Sequence, residues 1–433
     1  MEYTSHRILT LARLFHIHEG VATATTVAQV SKPAVSPTSK SATRRSGMRV
    51  RRFEAPSYGR FGNLRHLPWR EISGLALLLA AASCPAETNS LSVVQDTLGH
   101  LDAKLTRQAN ELLWFQRLAD IAVVDKVRFT GPPPRSTNNV APASGSNHVV
   151  ISAFTFLPRQ RSRDRSRPLI VLAHGEIHGN VATDEDFHVV RELVQQGYAV
   201  IAPDYRGSSG YGADFWHQID YGGLEIEDVH AARQFMLDRY RQIDPRRVGI
   251  IGWSHGGAIA LLTVFAHPGD YAACYAGAPV SDLEERIRIR GETYGQLLAA
   301  PYHLGKTVAE APDEYRRRSP AWNVEKLRTP LLLHANTNDE DVTIGEVERL
   351  IRALQAAQKG FDWRIYTNAP GGHYFNRLDT SLALESRAEI WRFLAKHLRP
   401  PHPAANRIGC LPTTGRNTVL DFGDSPQQCR GRV

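Results

Sequence analysis

The sequence predicts an α/β fold built on a doubly wound, mostly parallel sheet. Short apolar runs without polar alternation are typical of parallel strands that are covered on both faces. Three such runs lie at 169–173, 247–251 and 330–337, and 362–366 is a fourth strand candidate of mixed polarity. An apolar segment of helical character, 258–266, follows the second run almost directly. Alternation of buried strands with helices favours the α/β class.

One of these strands leads into a glycine-rich turn around a serine. Residues 252–257 are Gly-Trp-Ser-His-Gly-Gly, which places Ser254 in a G-x-S-x-G pattern before the helical segment. Both flanking positions must be nearly free of side chain for so sharp a bend, which holds the serine hydroxyl out of the sheet. Strand, turn and helix together predict the nucleophile elbow of an α/β-hydrolase. The alternative is an ordinary serine in a glycine-rich turn.

A serine nucleophile needs a base, and the base needs a carboxylate to orient it. In α/β-hydrolases the chain order is serine, then acid, then histidine. Asp339, Glu340 and Asp341 follow the third strand, and His373 follows the fourth in a turn rich in proline and glycine. We expect Ser254, Asp339 and His373 to form a triad. Asp341 and Glu340 are the alternatives for the acid, and a solvated loop histidine is the alternative for His373.

Several further segments resemble one family. Residues 205–212, Tyr-Arg-Gly-Ser-Ser-Gly-Tyr-Gly, match a Y-R-G-S-x-G-Y-G loop, and 221–228 resemble the acidic helix entry that follows it. Residues 244–249, Asp-Pro-Arg-Arg-Val-Gly, precede the elbow as a D-P-x-R-x-G segment does. Spread over 148–398, this pattern resembles the catalytic domain of prolyl oligopeptidase-type serine peptidases, which include the dipeptidyl peptidase and acylaminoacyl peptidase branches.

The resemblance implies roles for the three triad residues. Ser254 would be the nucleophile, His373 the general base and later acid, and Asp339 the residue that orients the imidazole. The acid of the family lies three positions before a valine, which Val342 matches here. This spacing favours Asp339 over Asp341.

The oxyanion of the tetrahedral intermediate needs donors that are already in position. One should be the backbone N–H of His255, the residue after the nucleophile, aided by the positive end of the following helix. The second should come from the loop after 169–173, where 174–179 take the place of the H-G-G-P segment of the family. His174 or the backbone around Gly175 is the candidate.

The chain departs from the family pattern at two places. Glu176 and Ile177 replace the usual Gly-Pro of the oxyanion loop. Asp341 stands where peptidase relatives often carry Asn or Arg to hold a substrate carbonyl, and an ionised carboxylate cannot donate that hydrogen bond. This second departure weakens the prediction of peptide recognition in the usual manner.

Two histidines of the oxyanion loop, His174 and His178, could also be interpreted as metal ligands. Metal ligands four residues apart need a helix to share a face, but Gly175 and Gly179 predict a loop. We therefore expect no metal and no cofactor.

The basic charge of the chain lies in its leader. The formal net charge is +8, and residues 1–83 hold twelve Lys or Arg and four Glu, a surplus of eight that accounts for the whole value. The remainder is formally neutral, so no nucleic-acid partner is expected.

The leader is also predicted to carry an export signal. Residues 72–83 are uncharged, follow basic residues and precede small ones, which predicts a secretory signal peptide too short to span a bilayer. The alternative is a buried alanine-rich helix. Met48 is the more sensible start for such a signal, and Cys84 resembles a bacterial lipoprotein acylation site that would anchor the protein to a membrane. We expect a periplasmic, secreted or lipid-anchored protein, or a cytoplasmic one if the leader is not a signal.

These features divide the chain into four parts. They are a partly disordered leader at 1–86, a helical extension and linker at 87–147, the catalytic domain at 148–399 and a flexible tail at 400–433. An amphipathic helix is predicted within the extension and is expected to pack on the catalytic domain. Its apolar residues are spaced three and four apart: Leu98, Leu101, Leu105, Ala109, Leu112 and Phe115. Residues 148–157 are predicted as the first strand.

The sequence therefore predicts an exported serine hydrolase that cleaves peptides through an acyl-enzyme. A carboxylesterase that acts on small esters with the same triad is the alternative. A non-catalytic binding protein on the same fold is disfavoured because all three catalytic roles are filled. The sequence does not predict an oligomeric state.

Overall fold

The computed structural model describes residues 88–134, 148–160 and 165–404. The predicted leader, with its signal peptide and Cys84, and the part of the tail from 405 onward lie outside these residues. Export, lipid anchoring and the division of the chain into four parts stay predictions. No helix within the described residues is both long and apolar enough to cross a membrane.

A single sheet of eight strands runs through the described residues, in the order β1-β2-β4-β3-β5-β6-β7-β8. β1 pairs antiparallel with β2, and β2 pairs antiparallel with β4, while the remaining neighbours are parallel. The strands are β1 Ala122–Thr130, β2 Val150–Pro158, β3 Arg167–Ala173, β4 Ala199–Asp204, β5 Ile243–Trp253, β6 Ala273–Gly277, β7 Leu331–Asn336 and β8 Asp362–Tyr366.

Helices cover both faces of this sheet. They are α1 Thr88–Leu118, α2 Thr183–Gln195, α3 Ala213–Trp216, α4 Leu224–Arg239, α5 His255–Ala266, α6 Leu283–Arg290, α7 Glu292–Ala299, α8 Pro312–Arg317, α9 Ile344–Ala356 and α10 Ser381–Leu398. Residues of α4, α5 and α9 share one buried apolar cluster, and residues of α1, α2 and α10 share a second. The doubly wound, mostly parallel α/β fold predicted from the sequence is confirmed.

The strand predicted to be first is the second. β1 precedes β2 and pairs with it along its whole length, from Ala122 opposite Pro158 to Thr130 opposite Val150. The strand is at the edge of the sheet and contains three charged residues, so it lacks the continuous apolar run that marks its neighbours. Lys126 fits this position because its ammonium reaches Asp204 at 2.9 Å and lies over the ring of Phe154.

Helix α1 forms as predicted, but it does not pack with the predicted face. Leu98, Leu105 and Leu112 are 52%, 57% and 72% exposed. The helix docks through Trp114 and Leu118 instead, both fully buried. Residue spacing identifies an apolar stripe, but it does not show whether that stripe packs against the domain.

Trp114 is the main anchor of α1 on the sheet. Its ring lies 5.0 Å from that of Phe156 and 6.2 Å from that of Phe154, both on β2, and its indole N–H donates to the carbonyl of Val181. The helix is therefore part of the folded domain, although it precedes the predicted boundary at 148.

We expect Trp114→Ala to lower the free energy of unfolding by about 3–5 kcal/mol, because truncation of a buried tryptophan removes apolar burial and leaves a cavity. Equilibrium unfolding in urea measures this change. Gln116→Ala, an exposed position of the same helix, is the control and should unfold like the wild type. Equal unfolding of the two variants would show that α1 is not docked.

Candidate active site

Ser254 lies at the sharp turn between β5 and α5. Its backbone φ of 58° is in the left-handed region that residues with a Cβ rarely adopt. Its N–H donates to the carbonyl of Gly277 at 2.9 Å, and its carbonyl accepts from the N–H of Val280 at 3.2 Å. These bonds to the end of β6 and the loop after it hold the serine on a strand-to-helix bend, which is the local structure that the G-x-S-x-G pattern predicts.

Two glycines make room for this bend. A Cβ on Gly252 would overlap the backbone of Gly256, and a Cβ on Gly256 would overlap the carbonyls at the end of β3. Gly252 thus permits the bend itself, and Gly256 permits the close approach of the loop after β3. It comes close enough that a Cβ on Gly175 would lie 3.9 Å from the Cβ of Ser254.

His255 begins α5, and its side chain is fixed by a buried carboxylate. Its Nε2 lies 3.0 Å from Oε1 of Glu225, and both residues are almost fully buried. Burial alone would raise the pKa of Glu225, but the bond and charge of His255 and the N–H of Gly222 lower it below its usual value. The ionised Glu225 therefore anchors the first turn of α5, where the predicted oxyanion donor, the N–H of His255, is located.

The imidazole of His174, one of the two oxyanion candidates in the loop after β3, already has partners on both nitrogens. Nε2 lies 2.9 Å from the hydroxyl of Ser208, and Nδ1 lies 2.7 Å from the carbonyl of Gly175. The ring stacks on Tyr205, and burial lowers the pKa of His174. This arrangement favours the other candidate, the backbone around Gly175, and the assignment of the second donor stays a prediction.

Glu176 replaces a glycine of the family pattern in the oxyanion loop, but its backbone still adopts a conformation typical of glycine. Its φ is 60°, again in the left-handed region. The hydroxyl of Tyr205 lies 3.1 Å from the carbonyl of His174 and 3.2 Å from that of Glu176. Tyr205 thus clamps the loop in a conformation that glycine would adopt more readily.

Asp339 and His373 meet beyond the carboxyl ends of β7 and β8. Oδ2 of Asp339 is 2.7 Å from Nδ1 of His373. The other oxygen, Oδ1, accepts the backbone N–H groups of Asp341 and Val342 at 2.9 and 2.8 Å. Three hydrogen bonds therefore fix the carboxylate, and Nε2 of His373 lies on the opposite side of the ring from Asp339. Glu340, one of the alternative acids, is exposed.

The loop that carries His373 is bonded to the end of β7, the strand that precedes Asp339. The side chain of Asn336, the last residue of β7, donates to the carbonyls of Ala369 and Gly372 at 3.0 and 2.9 Å. It also accepts the N–H of Ala369. This pairing sets the position of His373 relative to Asp339.

A second tie connects the histidine loop to the elbow. The indole N–H of Trp253, the residue before Ser254, donates to Asn376 at 3.0 Å. Asn376 lies three residues after His373 and donates in turn to the hydroxyl of Tyr275 on β6. The structure thus links the elbow and the histidine loop at one edge of the sheet.

The side chain of Asp341 points toward His373, at the ring nitrogen that does not face Asp339. Its Oδ2 lies 3.5 Å from Nε2 of His373. Arg286, which is almost buried, reaches Oδ1 of Asp341 at 3.3 Å and its carbonyl at 3.0 Å, and Arg290 contacts the same oxygen. Asp341, where the chain departs from the family pattern, is therefore paired with two guanidinium groups.

Metal ligands do not converge at the oxyanion loop. Nδ1 of His178 lies 2.7 Å from the carbonyl of Gly207, its ring stacks on Trp216, and burial lowers the pKa of His178 to about 4. Both nitrogens of His174 and Nδ1 of His178 are thus engaged with other groups, which disfavours the metal pair that the sequence raised as an alternative.

One other group of ligand-bearing side chains lies within the described residues. His230, His267 and Asp270 place ligand atoms within 4.8 Å of one another. The two rings stack face to face, with centroids 3.6 Å apart and planes inclined by 3°. An ion needs to lie in the plane of each ligating ring, so two parallel rings cannot share one ion. Glu227 instead accepts the Nε2 hydrogen of His267, with both oxygens at 3.1 Å.

Three polar residues that the sequence analysis does not single out shape this site: Glu225, Arg286 and Asn336. Asn336 could have been found as the polar end of an apolar strand, and Glu225 as part of the acidic helix entry. Arg286 carries no such signal, because it is one of many charged residues between β6 and β7.

The doubly wound sheet, the elbow after β5 and the acid and histidine loops after β7 and β8 define an α/β-hydrolase domain. Comparison with known proteins gives its family: residues 185–400 match the model of the prolyl oligopeptidase family. The chain belongs to this family of serine peptidases, which confirms the resemblance predicted from its motifs.

Its curated relatives share this domain at modest identity. An uncharacterised peptidase of Bacillus subtilis, YuxL, is 29% identical over 213 residues, which are 49% of this chain and 32% of that protein. The acylamino-acid-releasing enzyme of Arabidopsis thaliana is 24% identical over 258 residues, or 58% of this chain and 33% of the enzyme. A second Bacillus subtilis peptidase, YtmA, is 29% identical over 42% of this chain and 68% of its own length.

Solved structures give the same fold. A puromycin-hydrolyzing peptidase of Mycobacterium tuberculosis superposes with a TM-score of 0.51 at 25% identity, covering 58% of this chain and 37% of that one. A puromycin hydrolase superposes with a TM-score of 0.53 at 21% identity, over 64% and 40% of the two chains. The chain thus spans about a third of the length of YuxL and the plant enzyme, and less than half of these two solved structures.

A buried ion pair supports the loop after β4. Ser208 of this loop contacts the imidazole of His174. The guanidinium of Arg206 and the carboxylate of Asp228 make two bonds of 2.7 Å, and neither side chain is exposed. We expect Asp228→Asn to lower the free energy of unfolding by about 3–5 kcal/mol, because it leaves a buried guanidinium without its counter-charge.

Urea unfolding at neutral pH measures this loss. Asp120→Asn removes an exposed partner of Arg191, so this control should leave stability unchanged. If Asp228→Asn and Asp120→Asn have the same free energy of unfolding, the structural role of the buried pair is contradicted.

Proposed function

We propose that the chain hydrolyses peptide bonds through an acyl-enzyme, with Ser254 as nucleophile, His373 as general base and Asp339 as the residue that orients the imidazole. The observation that carries this proposal is the 2.7 Å bond between Asp339 and Nδ1 of His373, on loops next to the elbow. With Nδ1 donating to the carboxylate, Nε2 of the neutral ring has a lone pair that can accept a proton.

The proposed reaction has two halves. His373 takes the proton of the Ser254 hydroxyl as Oγ bonds to the substrate carbonyl carbon, and the protonated ring then gives that proton to the leaving amine. Water enters in the second half, His373 takes its proton, and the acid product leaves as the serine hydroxyl is restored. Asp339 stays ionised throughout and stabilises the imidazolium that forms in each half.

The negative oxygen of each tetrahedral intermediate would be stabilised by backbone donors. We assign the N–H of His255 as the first donor and the backbone around Gly175 as the second. Glu225 and Tyr205 support these two segments from behind. Donors held rigidly before the reaction stabilise the developing charge without the cost of reorienting solvent.

The family and the names of the relatives support a peptide as the substrate, and the site itself gives one reason to consider esters. Asp341 occupies the place where relatives often offer a carbonyl donor, and Arg286 and Arg290 already pair with it. An ester needs less help from such a donor because its alcohol is a better leaving group than an amine. Hydrolysis of small esters with the same triad is therefore the second candidate.

Substitution of the triad tests the chemistry. We expect Ser254→Ala and His373→Ala each to lower kcat by about 10⁶-fold, and Asp339→Asn by about 10⁴-fold. Hydrolysis of a p-nitrophenyl ester measures kcat, and a fluorophosphonate probe should label the wild type but not Ser254→Ala.

The matched control for the histidine is His188→Ala, which changes a surface imidazole that pairs with Asp379. This variant should keep wild-type activity. Retention of kcat by His373→Ala, or probe labelling of Ser254→Ala, would refute the proposed roles.

Substitution of Asp341 tests the substrate class. An asparagine at this position can donate one hydrogen bond to a peptide carbonyl, worth about 1–1.5 kcal/mol. We therefore expect Asp341→Asn to raise kcat/KM about tenfold for a peptide amide, with a smaller change for a p-nitrophenyl ester.

The control is Glu340→Gln, which removes the same charge from an exposed neighbour and should change neither substrate. If Asp341→Asn changes kcat/KM by the same factor for the amide and the ester, then position 341 does not face the peptide backbone. The role of this position in the choice between peptides and esters would then be refuted.

A further inference from the structure

Helix α1 carries a row of exposed leucines at every seventh position. Leu91, Leu98, Leu105 and Leu112 are 57%, 52%, 57% and 72% exposed. Isolated leucines on a surface need no explanation, but four with one spacing on one helix form a continuous apolar line.

A second row runs beside the first, three residues further along. It consists of Val94, Leu101, Gln108 and Phe115, of which Leu101 and Phe115 are 48% and 42% exposed. The two rows occupy the a and d positions of a heptad repeat over more than three heptads, a pattern typical of helices in coiled coils. We call these eight residues the heptad stripe.

The heptad stripe faces away from the domain. Helix α1 contacts the domain with other positions: Arg107 donates to the carbonyl of Gly210 at 2.9 Å, Asn110 accepts from Thr183, and Trp114 is buried against β2. These residues occupy c and f positions of the same repeat, so one face is docked while the a and d rows remain on the outside. A partner could approach the stripe without displacing the helix.

We propose that the heptad stripe pairs with the same stripe of a second copy of this chain, so that α1 forms a two-stranded coiled coil. A helix with a seven-residue apolar repeat packs best against another helix with the same repeat. In a two-fold symmetric dimer the same stripe of each copy forms both sides of the contact. Gln108 is the single polar residue of the stripe, and one polar core position is a known means of fixing register and the number of strands.

The size of the stripe suits such a contact. From Leu91 to Phe115 the helix runs about 36 Å, given a rise of 1.5 Å per residue. Two helices in contact over this length bury an area on the order of 1,000 Å², which is about the minimum for a biological interface.

The charges of α1 disfavour a membrane surface as the occupant. The helix has three acidic residues, Asp96, Asp102 and Glu111, and three basic ones, Lys104, Arg107 and Arg117. Helices that lie on anionic lipid are typically rich in Lys and Arg on the polar face. A neutral polar face agrees with association between protein helices.

Sedimentation of the full chain over a range of micromolar concentrations tests the proposal. The wild type should sediment with twice the mass of one chain, and Leu98→Glu/Leu105→Glu should halve that mass. The control is Ser92→Glu/Thr106→Glu, which adds the same two charges to exposed positions of the same helix outside the stripe, and it should remain dimeric. Far-UV circular dichroism and ester hydrolysis of the variants should match the wild type, which shows that both variants remain folded.

Three results would overturn the proposal. They are a wild type that sediments as a single chain at every concentration, a control that dissociates as fully as the leucine variant, and a monomeric wild type that binds phosphatidylglycerol vesicles through Leu98 and Leu105. None of them bears on the triad, because the stripe lies on the face of α1 opposite to the domain.

Discussion

The strained bend at Ser254 is the constraint on which the rest of the site depends. A residue with a Cβ is held at a φ of 58°, which costs free energy and persists only where the surroundings fix it. Here they do so from three sides: the end of β6 binds the backbone of Ser254, the loop after β3 approaches across Gly256, and the pair His255–Glu225 holds the first turn of α5. The strained bend places the Ser254 hydroxyl at the edge of the sheet where the loops after β7 and β8 meet.

Charge is buried around this bend in pairs, each of which fixes one loop. Glu225 holds the start of α5, Asp228 holds the loop after β4 through Arg206, and Asp339 holds His373. A buried carboxylate without a partner would be costly, so the position of each loop is coupled to the presence of its partner. Two buried imidazoles complete the arrangement, and burial lowers the pKa of both His174 and His178. Buried ion pairs and hydrogen bonds thus hold the loops around the bend.

The sequence predicts most of this architecture because strong local signals coincide with the structural requirements. Apolar runs mark the buried strands β3, β5 and β7, and the glycines mark the bend. The order of Ser254, Asp339 and His373 follows from topology. Local signals fail where tertiary context decides: β1 is an edge strand with mixed polarity, and α1 packs through Trp114 and not through its leucines. The partners of Asp341 and His174 are also distant in the chain, so no spacing rule could have predicted Arg286 or Ser208.

The central claim is that a single hydroxyl, raised on this bend, becomes covalently acylated during turnover. Mass spectrometry of protein quenched in acid soon after mixing with p-nitrophenyl acetate tests it most directly. The account predicts one acetyl group, carried by the proteolytic peptide that contains Ser254. An unmodified Ser254 peptide together with sustained release of nitrophenol, or an acetyl group on another residue, would contradict it.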